Sequence, residues 1–175
     1  MKKFLVMGAT VLLGLALAGC SSSSNDAGSN QSSTSESTTT APTAKNKTIA
    51  KEIAAKFNTN GETMVKVSVK TDVVDEQSKT NKNGDAQPHQ IIDVRLVDPE
   101  GLKNMKAAKD ALDSNSATDD QKMAIAGTQT IIADEAKKLE NDYDTIQLGW
   151  QLEDADHIQL VALSTRKENI ISIVE

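Results

Sequence analysis

Where a core can begin is the feature that most constrains this chain. Met1 to Gly19 is strongly apolar, whereas Ser21 to Lys45 has almost no large apolar side chain. The stretch from Ser21 to Thr43 reads SSSSNDAGSNQSSTSESTTTAPT, a low-complexity segment with no apolar periodicity to offset the entropy of ordering it. It is expected to be disordered. A core must therefore be drawn from Lys45 onward, and a chain of 175 residues shortened in this way holds material for one domain, not two.

The apolar start has the anatomy of an export signal. Lys2 and Lys3 form a short positive region, and Phe4 to Leu17 is an apolar run broken only by Gly8, Thr10 and Gly14. A spanning helix needs roughly 20 apolar residues, more than this run supplies. At its end, Leu17-Ala18-Gly19-Cys20 resembles the lipobox of bacterial lipoproteins: Leu, a small residue, Gly or Ala, then Cys. The resemblance implies cleavage between Gly19 and Cys20, with the Cys20 thiol carrying a thioether-linked diacylglyceryl group and becoming the mature N-terminus. Acyl chains such as palmitate contribute about 0.8 kcal/mol per buried methylene, and two of them meet the requirement for stable anchoring.

The domain organisation expected is thus a cleaved signal peptide at 1–19, a lipidated cysteine and disordered tether at 20–44, and a single globular domain at 45–175. Treated as a coil of about 23 residues, the tether spans roughly 25 Å, with a contour limit near 75 Å. Long tethers of this kind resemble those of Gram-positive lipoproteins, which favours the extracytoplasmic face of a Gram-positive membrane; Ser21 would also suit outer-membrane sorting in a Gram-negative cell.

Cysteine usage and charge narrow the partners. Cys20 is the one cysteine, so a lipidated chain has no thiol left for a disulfide or a metal. Removal of Lys2 and Lys3 leaves 17 Lys plus Arg against 25 Asp plus Glu, a formal charge of about −8. Such a chain is repelled by nucleic acid and by anionic headgroups, so lipid, not charge, is expected to hold it at the membrane.

Periodicity sets the expected fold. Ile49, Ile53 and Phe57 recur at spacing four, a short helix stopped by Asn58, Asn60 and Gly61. Val65, Val67 and Val69 alternate with Lys66, Ser68 and Lys70, and Ile92, Val94 and Leu96 alternate with Ile91, Asp93 and Arg95, which predicts two strands joined by a long hairpin with a turn at Asn83-Gly84-Asp85. Asp98-Pro99 opens a second helix through Leu112, and Thr118 to Gln121 reads as a capping box opening a third, expected to carry Ile125, Ile132, Ala136, Leu139 and Tyr143 on one side. Ile146 to Leu152 and Ile158 to Ala162 are expected strands, with a short last one at Ile170 to Val174. The order predicts an α+β fold, a mostly antiparallel sheet of four or five strands with about three helices on one face. Each half reads as a helix followed by paired strands, a faint hint of duplication without residue identity behind it.

The search for chemistry returns little. His157 beside Asp154 and Asp156 resembles the start of a metal cluster, but these residues fall in an expected hairpin turn, where Asp is favoured for turn reasons. The other histidine of the chain is His89. Around Asp113 and Asn115 a calcium loop fails: Ala117, Thr118 and Ala124 occupy positions that need an oxygen ligand, a glycine and a glutamate. Glu135, Glu140, Asp142 and Asp144 cluster near the third helix's end, where a solvated acidic face accounts for them better than an acid/base pair. The domain's aromatics are Phe57, Tyr143 and Trp150, and Trp150, flanked in phase by Leu148 and Leu152, is expected in the core. No nucleophile elbow, phosphate loop or zinc-protease motif follows Lys45.

The sequence therefore points to a noncatalytic envelope lipoprotein whose domain binds an envelope or extracellular protein, without cofactor, metal or nucleic acid. A small-ligand-binding lipoprotein and an immunity factor against phage or bacteriocin are the alternatives, and an enzyme ranks last.

Overall fold

Every helix of the domain starts at a side chain able to satisfy its free N–H groups. In the computed structural model, which describes residues 40–152 and 157–175, Thr43 caps α1 (Ala44–Phe57) by accepting from Asn46 N–H at 3.1 Å. Asp98 caps α2 (Pro99–Asp113) by accepting from Gly101 N–H at 2.6 Å. Thr118 and Gln121 form the expected reciprocal box at α3 (Asp119–Ala136). Replacing any of these caps by Ala removes about 1 kcal/mol.

At its far end α1 stops where Asn60 and Gly61 take positive φ, and Asn58 then serves a second purpose. Its side-chain amide donates to Val65 C=O at 3.0 Å while its carbonyl accepts from Val65 N–H at 2.9 Å, closing the first rung of the strand that follows. Helix α3 ends at Ala136, short of the Tyr143 expected from apolar spacing. After Ala136 the backbone tightens, with Lys138 N–H on Glu135 C=O and Leu139 N–H on Ala136 C=O. Leu139 still enters the core from this turn. Asn141 Oδ1 then accepts from Tyr143 and Asp144 N–H, so Tyr143 sits in an Asx turn rather than on a helix.

The sheet has four strands, β1 (Val65–Val73), β2 (His89–Leu96), β3 (Thr145–Gln151) and β4 (Ile158–Thr165), in that spatial order. β1–β2 and β3–β4 are antiparallel, and the central β2–β3 pair is parallel, so the α+β architecture is mostly antiparallel. All three helices lie on one face, where Ile49, Ile53, Ala108, Ile125, Ile132 and Ala136 pack against Val65, Ile92, Val94, Leu96, Ile146, Leu148, Trp150 and Val161 in one cluster. The two halves are not copies. Shifting one hairpin onto the other with the helices kept on the same face would preserve strand direction, yet β1 and β3 run in opposite directions.

One irregularity organises the second hairpin. Leu148 faces Ala162 but Gly149 faces Leu160, so Val161 is a bulged residue; it turns into the core. The bulge brings the β4 backbone so close that a Cβ on Gly149 would lie 2.1 Å from Gln159 C=O. The Val161 carbonyl is taken up by buried Gln129 of α3 at 2.9 Å. That same amide donates to Ser172 C=O and accepts from Val174 N–H at 2.8 Å, so the segment expected as a fifth strand lies as an irregular tail held by α3. Ile170 and Ile171 N–H share a single carbonyl, that of Leu163, which a ladder could not do.

Gly149→Ala should therefore destabilise the domain by about 2–4 kcal/mol, since the clash is with backbone and cannot be relieved by a rotamer. Gly127→Ala, in α3 with nothing within 4 Å of the added carbon, should stabilise by about 0.5–1 kcal/mol. Urea melts of both variants check the pair.

Candidate functional site

Helices cover one sheet face; the opposite face carries a polar array fixed by strand register. Its rows run Lys70, Ile91, Thr145, Thr165; then Ser68, Asp93, Gln147, Leu163; then Lys66, Arg95, Gly149, Leu160. Asp93 is the hub, only 4% exposed. Its carboxylate accepts from Arg95 Nε and Nη2 at 2.8 Å each, from Lys70 Nζ at 2.9 Å and from Gln147 Nε2 at 2.8 Å.

Burial pushes the Asp93 carboxyl up, but the bonds from Gln147, Lys70 and Arg95 together outweigh burial and hold it below the ordinary aspartate value. The consequence is a fixed geometry: the guanidinium of Arg95 and the ammonium of Lys70 are pinned side by side on a sheet surface. Ser68 and Lys66 at the β1 margin are exposed, and among the described residues Lys66 pairs with no carboxylate.

A second polar cluster sits where the chain enters the domain. Asn46, fully buried in the first turn of α1, donates to Gln90 Oε1 at 3.0 Å and Asp144 Oδ2 at 2.8 Å. Asp144 Oδ1 accepts from Gln90 N–H, and Gln90 in turn binds Thr43 N–H and Ala41 C=O. The buried Asp144 side chain thus stands at the N-terminus of α1, held there by Asn46. Thr40 N–H donates to Asp72 at 2.8 Å. A small hollow of about 180 Å³ lies among these groups, bordered also by His89 and Tyr143. His89 is buried beneath the β1–β2 connection, with Nδ1 3.2 Å from Ser78 Oγ and Nε2 3.6 Å from Asp75. The connection itself is ordered by Asn81, whose Oδ1 accepts from Asn83 and Asp85 N–H.

The residues singled out from sequence separate in space. Glu135 is buried and paired with Lys56 and Lys138, whereas Asp142 is exposed and paired with Lys167. Asp144 belongs to the entry cluster, so the four carboxylates do not form one site. Trp150 lies in the core and forms one wall of a groove of about 420 Å³ with Lys106, Asp110, Leu152 and Gln159. Gly19, Cys20, Asp154 and Asp156 lie outside the described residues, and His157 stands immediately before β4. Among the described residues no three His, Cys, Asp or Glu side chains are grouped to hold a metal. No helix there is long and apolar enough to cross a membrane.

Sequence reasoning missed Asp93 as a hub and Asn46, Gln90 and Gln129 as buried joints. Asp93 could have been found, since a carboxylate two residues from Arg95 on one strand face is a local pair. Comparison of the chain with protein-family models, curated proteins and solved structures returns no match.

Asp93→Asn should lower stability at pH 7 by about 1.5–3 kcal/mol, the range for hydrogen bonds to a charged group. Because the native carboxyl is held below its unfolded value of about 3.9, its contribution is complete above that pH and is lost as pH falls through the lowered native value. The gap between wild type and variant should therefore narrow in urea melts between pH 5 and pH 2.

Proposed function

We propose that the chain is a membrane-anchored extracytoplasmic lipoprotein whose α+β domain is a noncatalytic binding module. The observation that carries the reading is the tetrad Leu17-Ala18-Gly19-Cys20, placed between a short apolar run and a long hydroxyl-rich tether. The domain supports it by the way it uses buried polar groups. Asn46, Gln90, Gln129, Glu135 and Asp144 each tie one element to another, as befits a scaffold. The array around Asp93, in contrast, is presented on a face that no described helix covers.

Expression of the full chain in a bacterium with lipoprotein-processing enzymes tests the anchor. Intact-mass analysis should give a chain beginning at Cys20 and bearing a diacylglyceryl group, partitioning into the detergent phase. Cys20→Ala should keep residues 1–19 and lack the mass of the diacylglyceryl group. A wild-type chain with Met1 to Gly19 attached and an unmodified thiol overturns the proposal.

A further inference from the structure

We infer that the outer edge of β1 is a docking strand for an extended peptide that alternates acidic with apolar residues. The inference rests on the reading of the domain as a binding module and names its surface and the chemistry of its partner.

β1 is an end strand of the sheet, and Val65 points its N–H and C=O away from β2, because both are held by the Asn58 side chain. In an antiparallel pair the outward groups recur at every second residue, so Val67 and Val69 also direct N–H and C=O outward. Asn58 closes this edge at one end. At the other, Asp72 at φ 55° breaks the register between Lys70 and Val73. The open segment is thus short and bounded, with Val67 and Val69 at its middle, the length an added strand of about five residues covers.

Side chains then set the partner's chemistry. A strand laid beside β1 has alternate residues on the two sheet faces. On the helix-free face they meet Lys66, Ser68 and Lys70, where Lys66 pairs with no described carboxylate and Lys70 is pinned in place by Asp93. On the other face they meet half-buried Val67 and Val69, which pack against the core cluster. Acidic residues suit the first row and apolar ones the second. Lysines on an edge also discourage pairing between copies of the chain, which leaves an oppositely charged strand as the fitting occupant. Lys66 and Lys70 are further set off by the net negative charge of the chain as a whole, which gives this margin a local sign opposite to the rest.

The test uses the full mature chain in detergent micelles, isotope-labelled, with synthetic nonapeptides as probes: alternating Val and Glu, alternating Val and Lys, and the Val–Glu peptide with a central Pro. The Val–Glu peptide should slow hydrogen exchange at Val67 and Val69 at least tenfold, and the Lys and Pro peptides should not. Lys66→Glu and Ser68→Glu, both at exposed positions, should each weaken Val–Glu binding at least fivefold. Equal binding of all three peptides, or binding that leaves the Val67 and Val69 amides unprotected, overturns the inference. So does binding of inorganic polyphosphate to this margin without binding of the Val–Glu peptide. Lipidation at Cys20 is read independently by mass, so loss of the edge site and loss of the anchor are told apart.

Discussion

The parallel pairing of β2 with β3 is the constraint from which the rest of the domain follows. Two adjacent parallel strands cannot be joined by a tight turn, because the chain must travel back the length of the sheet before re-entering it. Here α2 and α3 make that journey, and both land on the face that already carries α1. One face of the sheet is therefore buried under three helices. The other carries the mostly polar side chains that strand alternation sends the opposite way.

A two-layer domain this small has little core to spare, and its polar joints show how the layers are fastened. Each occurs where regular structure leaves a backbone group without a partner: Gln129 at the Val161 bulge, Asn58 at the first rung of β1, and Gln90 with Asp144 at the entry of the chain. An unpaired buried amide or carbonyl costs about 1–3 kcal/mol. These amides are thus more than decoration, and Gln129 also secures the tail by bonding Ser172 and Val174. Glu135, between Lys56 and Lys138, does the same for α1 and α3 with charge, and Lys138 extends the pairing to Glu52.

How much of this was legible in the sequence depends on which force sets each feature. Local signals were read correctly: the caps at Asp98 and Thr118, the stop at Asn60-Gly61, and the period-two alternation of Val65 to Val69 depend on neighbours in the chain. Features set by distant partners were not. The apolar spacing through Leu139 and Tyr143 is helical on paper, yet the turn at Asn141 that feeds β3 overrides it. Ile170 to Val174 has strand composition but no open ladder to join, because its backbone is claimed by Gln129 and Leu163. Of the candidate site, Lys66, Asp93 and Arg95 were visible as the polar side of two strands. Arg95 and Lys70 reach the Asp93 carboxylate from these same two strands, whereas Gln147 is brought beside it by the parallel register from 54 positions away.

The entry of the chain is fastened to the sheet as firmly as its interior joints. Thr40, Ala41 and Thr43, at the end of the stretch expected as a tether, are bonded to Asp72 and Gln90, so these residues are held at the end of the sheet formed by the close of β1 and the start of β2. These bonds and the Thr43 cap fasten the first turn of α1 to the end of β1 and the start of β2, which is where regular structure alone would leave the incoming chain without partners.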